Sequence, residues 1–401
     1  MQSPADLDLT DPALHAEQDL GELWRTLRTE EPLHWQPPAA GRPGFWSLTR
    51  YDDVVAAYRD TERLRSDHGN VLDTLLGGGD PAAGQMLPLT DGPRHADLRA
   101  ALMKAFSPRA LAAVVGNIRT ASRDVLAQFR AKGSGDFARD VAGELPLRAI
   151  CDLLDVPRAD RARLLELTSS ALGADSSDGL HENSWVSKSE ILLYFCDLVA
   201  DRRRRPREDI VSLLARCRIG GAPLSDEEVL FNCYSLILGG DETTRLALVG
   251  GVAALVDHPG QFRALREGAS DVQGAVEEIL RWTTPVLHAG RTAAVDFALH
   301  GRTVAAGDVV ALWNVSANRD DTFAQPDRFR LDRTPNRHLT FAYGTHFCLG
   351  AFLARAEIAA VLEHLRDMGG TLHRSGPARP VYSNFLGGHG SLPLAWTDTN
   401  G

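Results

Sequence analysis

Apolar positions along this chain recur mostly at helical spacing, interrupted by a few short runs of strand character. FWSL, residues 45–48, reads as a strand, and Tyr51 to Tyr58 as a short helix. Residues 70–90 are rich in glycine and proline with little periodicity, which predicts a long loop of the functional kind. A helix is predicted to begin after Pro93 and run through Phe106, with Ser107-Pro108 ending it and opening the next, followed by helical runs over 115–132 and 138–152. Residues 157–172 and 184–204 read as two helices joined by the polar link GADSSDGLHEN. The basic cluster Arg202 to Arg205 reads as a solvated helix end, favourably placed against the dipole.

The longest helix is predicted to start at Ser225, where Ser225 and Glu228 fit a capping box. No proline follows until Pro259, which allows roughly 30 residues, or about 45 Å of helix, across the core. Shorter helices follow over 259–267 and 271–283, then a small sheet over 295–299, 302–305 and 308–313. Residues 349–367 read as a helix buried on its alanine-rich face, and 371–396 as turns and short strands. No repeat and no linker interrupts the pattern. The expectation is a mainly α fold with a small β region, one domain over 1–401, with residues 1–20 loosely ordered.

Composition narrows this. The chain has 401 residues, 44% apolar and 24% charged, which suits a large core. A formal charge of -10 argues against nucleic acid as a partner. Five scattered cysteines without a C-x-x-C fit a reducing compartment rather than a disulfide scaffold. The acidic, polar start MQSPADLDLTD is neither a signal peptide nor an anchor, and charges break every apolar stretch well short of about 18 residues, so no membrane span is expected. The expected location is the cytoplasm, and the expected state a monomer.

Candidate chemistry concentrates in FAYGTHFCLG, Phe341 to Gly350. Cys348 lies between a glycine-rich turn and a helical run, where backbone N–H groups stabilise a thiolate. Such a sulfur could bind a soft metal or attack a substrate. A second unusual segment is LILGGDETTR, Leu236 to Arg245, inside the longest helix. Gly239 and Gly240 each cost helix propensity, about 1 kcal/mol relative to alanine. Either two helices pack closely there or a reactant approaches the backbone. Thr243 shares a face with Gly239, and Glu242 lies beside it, a hydroxyl and a carboxylate suited to proton delivery. Glu278 and Arg281, i and i+3 on one helix, read as a structural pair.

Together these segments resemble the cytochrome P-450 family of haem-thiolate monooxygenases. The family's cysteine-loop motif is matched by Phe341, Gly344, Cys348 and Gly350, its distal-helix motif by Gly240, Glu242 and Thr243, and its glutamate–arginine pair by Glu278 and Arg281. Order and spacing agree, and the resemblance runs from about residue 20 to the end. It implies haem b with Cys348 as axial thiolate, Phe341 packed near it, and Gly344 and Gly350 permitting a tight loop. His95 and Arg99 in DGPRHADLR, Arg291 in HAGRTAA, and His346 are the implied propionate partners. Thr243 and Glu242 would organise water that carries protons to dioxygen, Gly239 and Gly240 would leave it room, and Asp241, facing away, would tune proton entry. Gly239 stands where the family very often has alanine. Arg328 is the implied third partner of Glu278 and Arg281.

The resemblance further implies separate ferredoxin and ferredoxin reductase partners, with NAD(P)H as ultimate electron source. Lys104, Arg109, Arg337 and His338 would form their docking patch. The implied pocket draws on the 70–90 loop, the 168–190 link, Leu236, 283–287 and 384–389. Met86, Leu87, Leu89, Val286, Leu287, Phe385 and Leu386 would make it apolar, and Trp185, Asn232, His288 and Asn384 would supply polar contacts. The implied reaction inserts one oxygen atom into an apolar natural-product intermediate, free or carrier-protein-bound, in antibiotic or other secondary metabolism. Oxidative coupling, peroxide-driven oxidation and a non-catalytic haem sensor are the alternatives. A cysteine hydrolase lacks a well-placed histidine base.

Overall fold

The computed structural model describes residues 7–39, 41–171 and 181–398. The helix from Asp226 to Asp257 spans 32 residues and organises the rest. Its capping box is complete: the Ser225 hydroxyl accepts from the Glu228 N–H, and a Glu228 carboxylate oxygen accepts from the Ser225 N–H at 2.8 Å. Buried side chains occur all round its central turns, as expected of a helix that crosses a core. Helices Leu145–Leu153, His181–Arg204, Val272–Thr283 and Ala351–Asp367 pack against it. The last, called the cysteine helix below, starts three residues after Cys348.

Several elements depart from the sequence expectation. Pro108–Lys132 is one helix, N-capped by the Ser107 hydroxyl and closed by Gly133 at φ +78°. The run over 138–152 divides into a π-helical turn, Ala138–Ala142, and the helix Leu145–Leu153. The 70–90 loop contains a short helix, Leu72–Leu76, whose leucines at 72, 75 and 76 are buried at i, i+3 and i+4. Residues 7–20 are not loosely ordered. Asp11 caps a helix over Pro12–Glu17, and Leu9 and Leu14 are buried beside Trp24 and Trp313. Arg202 is not a solvated helix end either. It is buried and paired with Asp155, Asp201 and Asp209, locking that terminus to neighbouring turns.

The β region is larger than the small sheet expected. Val309–Trp313 belongs to a five-stranded sheet, parallel to Phe45–Leu48 and antiparallel to His288–Ala293, with Leu33–Gln36 and Leu64–Arg65 at its edges. Phe297–Leu299 and Arg302–Val304 form a separate hairpin. The difference follows from burial: all five residues of Val309–Trp313 are buried, which fits a central strand.

Glu278 and Arg281 are fully buried, and Arg281 donates to both Glu278 oxygens at 2.9 Å. Their third partner is Arg333, not Arg328. Arg333 Nε donates to Glu278 at 2.8 Å, whereas Arg328 is exposed and offers only its carbonyl, which accepts from Arg281 and Arg333. The turn after Pro326 directs the Arg328 side chain outward and brings Arg333 back beneath the helix.

No helix among the described residues is long and apolar enough to cross a membrane.

Candidate active site

A cavity of about 1320 Å³ lies between the long helix, the five-stranded sheet and the cysteine loop. That exceeds the usual range for a small-molecule site, roughly 300–1,000 Å³, and leaves room for a cofactor and a ligand together.

Cys348 opens on this cavity from the loop before the cysteine helix. Its N–H donates to the Phe341 carbonyl at 2.9 Å, closing the loop. Burial pushes its thiol pKa up, while the N–H groups of Gly350 and Ala351 and the charges of Arg99 and Arg355 pull it down. Those N–H groups belong to a helix N-terminus, so they favour a sulfur that carries negative charge. Phe341 is buried beneath the loop, with the Arg355 guanidinium 4.6 Å from its ring centroid.

The motif glycines serve different needs. Gly344 has φ +69°, and a Cβ there would stand 3.1 Å from the Tyr58 carbonyl. The close approach is therefore to the Tyr58 backbone rather than to the sulfur. A Cβ on Gly350, at 4.0 Å, would make ordinary contact with the Cys348 sulfur. Gly240 packs on Ile150, where a Cβ would come within 3.3 Å, so close helix packing explains it. Gly239 has nothing within 4 Å of an added Cβ, and it faces the cavity. Gly344→Ala is expected to cost about 1–2 kcal/mol for the left-handed backbone alone. Gly239→Ala should cause no loss, and urea midpoints for the two variants decide.

Four basic side chains line one side of the cavity: His95, Arg99, Arg291 and His346. Arg291 is buried, and its described hydrogen-bond acceptor is the Gly290 carbonyl at 2.7 Å. Burial lowers its pKa, so an anionic partner would relieve its desolvation. His346 Nε2 lies 2.9 Å from Asp91, and its ring centroid is 4.4 Å from that of His95. Burial lowers the His95 pKa to about 4, with the His346 and Arg99 charges adding to the effect. A soft sulfur and a cluster of basic side chains facing the same cavity fit an iron porphyrin with acidic side arms.

Thr243 also faces the cavity, and its hydroxyl donates to the Gly239 carbonyl at 2.8 Å. Asp241 and Glu242 turn away, because successive helix positions point about 100° apart. Neither is among the described residues that line the cavity. Glu242 is fully buried against Arg245, which donates to both of its carboxylate oxygens. Asp241 is buried and accepts from the Thr168 hydroxyl at 2.6 Å.

Above this floor the wall is apolar, with Met86, Leu87, Leu236, Val286, Phe385 and Leu386. Leu89 and Leu287 are not part of it and are packed in the core. Three of the expected polar residues, Asn232, His288 and Asn384, line the cavity and also hold its walls together. Asn232 accepts from the Leu87 N–H and donates to the Gln85 and Glu228 carbonyls. His288 accepts from the Leu72 N–H at 3.2 Å and faces the Asn384 carbonyl. Asn384 donates to Thr10 and Asp73. The side chain of Trp185 and residues 172–180 of the expected link lie outside the described residues. Lys188, within the expected 168–190 segment, lines the cavity, whereas sequence reasoning missed Tyr234, Ser235 and Glu357 on its wall. Of the expected docking patch, Lys104, Arg109 and Arg337 are exposed, but the His338 side chain is buried against Glu277.

Helical fold, cysteine loop and cavity agree with one class, and the chain belongs to the cytochrome P-450 family. It is a monooxygenase of that family, which carries haem on a thiolate and draws electrons from NAD(P)H through redox partners. The family model, cytochrome P-450, matches residues 196–365. Cytochrome P-450 NovI of Streptomyces niveus is 50% identical over 399 residues, 98% of each chain. A methyl-branched lipid omega-hydroxylase of Mycobacterium bovis is 37% identical over 391 residues, 93% of this chain and 90% of that protein. The crystal structure of P-450 OxyD, described as involved in the biosynthesis of vancomycin-type antibiotics, has a TM-score of 0.88 at 33% identity, covering 98% of this chain and all of that one.

Proposed function

We propose that this chain inserts one oxygen atom from dioxygen into a C–H or C=C bond of an apolar natural-product intermediate, free or tethered to a carrier protein. One observation carries the reading: a single cavity has Cys348 on one wall, Thr243 and Gly239 on another, and an apolar chamber above. The antibiotic role given for OxyD supports a tailoring step in secondary metabolism.

When bound, haem supplies the oxygen-activating chemistry. Cys348 would hold its iron, with Gly350 and Ala351 steadying the sulfur's charge and Phe341 packed below the loop. Arg99, Arg291, His95 and His346 would hold its carboxylates. Thr243, bonded back to Gly239, would present its hydroxyl to water on the oxygen side. Glu242, paired with Arg245, would order the helix behind it. The apolar wall would orient the substrate and exclude water. Electrons would arrive through a ferredoxin and its reductase at the cysteine side, and the exposed Lys104, Arg109 and Arg337 would form the docking patch. A cytoplasmic monomer folded as one domain over 1–401 completes the proposal, supported by a cavity whose lining runs from Asp11 to Leu386.

The test is turnover of matched free and carrier-bound candidates under isotopically labelled dioxygen, with substrate-induced haem spectral shifts as the binding readout. The account expects a product that gains one labelled oxygen atom. A coupled or cyclised product without label would overturn the insertion reading.

A further inference from the structure

Helix His181–Arg204 carries an inward stripe in which Ile191, Phe195, Leu198 and Val199 are buried. Lys188 stands at the head of that stripe. It precedes Ile191 by three residues and Phe195 by seven, so it shares their face. Its side chain is partly buried and lines the cavity. An apolar residue is the usual occupant of such a position, because a charge there loses water.

Two other polar side chains reach the cavity close to it. Tyr234 comes from the long helix, and Asp80 from the loop after Leu72–Leu76. Asp80 is held by its own turn: its N–H donates to the His68 carbonyl at 2.8 Å, and its carboxylate accepts from the Ala82 N–H at 2.9 Å. The Asp80 charge acts on both Lys188 and Tyr234, which places the three groups together. They come from three separate elements, and apolar residues such as Met86 and Leu236 line the same cavity.

The donors in this group point to the ligand. Burial lowers the Lys188 pKa, and the Asp80 charge opposes that. Burial pushes the Tyr234 hydroxyl up to about 12, with the Asp80 charge adding to the effect, so it remains a donor at neutral pH. An ammonium and a phenol together suit an acceptor oxygen. One cation beside a carboxylate does not suit a doubly charged phosphate, which Asp80 would repel. An amine would meet the like charge of Lys188.

We propose that Lys188 and Tyr234 are specificity-determining residues that anchor the acyl oxygen of the substrate, with Asp80 positioning the Lys188 ammonium. That oxygen belongs to a carboxylate in a free acid and to a thioester carbonyl in a carrier-bound one. The inference rests on the reading of this cavity as the substrate chamber. Tyr234 precedes Gly239 by five residues and Thr243 by nine, about 8 Å and about 14 Å along the helix axis. The anchor therefore holds the acyl end away from Thr243 and leaves the apolar remainder of the molecule to face the oxygen side.

Calorimetric titration of the haem-loaded protein tests this with three probes of equal chain length: decanoic acid, its N-acetylcysteamine thioester and decylamine. At least one acyl probe should bind about tenfold or more tighter than decylamine, and the tighter of the two tells a free-acid substrate from a carrier-bound one. Lys188→Met, which keeps the apolar stem, should weaken decanoic acid about tenfold and leave decylamine no weaker. Tyr234→Phe, which removes one oxygen, should weaken the tighter acyl probe about threefold. Decylamine binding as tightly as both acyl probes, no binding by either acyl probe, or acyl affinities unchanged in Lys188→Met overturns the anchor. The wild-type ranking decides even if a variant fails to fold. Calorimetry registers binding without turnover, so the anchor can fail while labelled oxygen is still inserted, and oxygen insertion can fail while the anchor holds.

Discussion

Glu278→Ala should destabilise the protein by about 3–5 kcal/mol in urea unfolding, the range for removing one partner of a buried ion network. The side chains of Arg281 and Arg333 are 0% and 3% exposed, and both would lose the carboxylate they share. Glu278 also accepts from the Arg330 N–H and from Asn336 Nδ2. The network thus ties helix Val272–Thr283 to the segment that leads into the cysteine loop. Arg333→Leu should lose a comparable amount. Arg328→Ala should stay within about 0.5 kcal/mol, because an exposed side chain away from such a network contributes little. Equal losses at 328 and 333 would contradict the assignment of the third partner.

Cys348→Ala should reduce oxygen insertion to background while leaving the fold intact. The sulfur's hydrogen bonds come from Gly350 and Ala351 at a helix start, and the backbone bond from its own N–H to Phe341 survives the change. Stability should therefore change far less than activity. Loss of the thiolate removes the electron donation that favours O–O cleavage. Haem would keep its basic contacts at Arg99, Arg291, His95 and His346, so retained pigment with lost turnover is the expected combination. Retained turnover would overturn the ligand assignment.

Much of this was readable along the chain, for identifiable reasons. The long helix announced itself because its start is a local device: Ser225 and Glu228 satisfy each other's backbone within one turn. The cysteine loop was legible because its glycines and sulfur lie within ten residues. The two glycines of the long helix were legible as a pair but not apart. Both line the cavity, but only Gly240 also packs against Ile150, a distinction set by a neighbouring helix. Strand His288–Ala293 was missed because HAGRTA lacks alternation, its burial being set by strands on both sides. Arg333, Arg202 and Glu357 were missed for one reason. Each looks like a surface charge locally, and its burial emerges only once the fold packs other elements around it. The chamber's polar residues Asn232, His288 and Asn384 do line the cavity, and they also bond the surrounding walls, which the sequence did not show.

The central claim is that the cavity holds haem through the sulfur of Cys348. The most direct test is the spectrum of the purified wild-type protein, reduced and exposed to carbon monoxide. A thiolate-ligated haem gives a strongly red-shifted Soret band, which this account predicts and which Cys348→Ala should abolish. A wild-type band without that shift, or a shifted band that persists in Cys348→Ala, would contradict it.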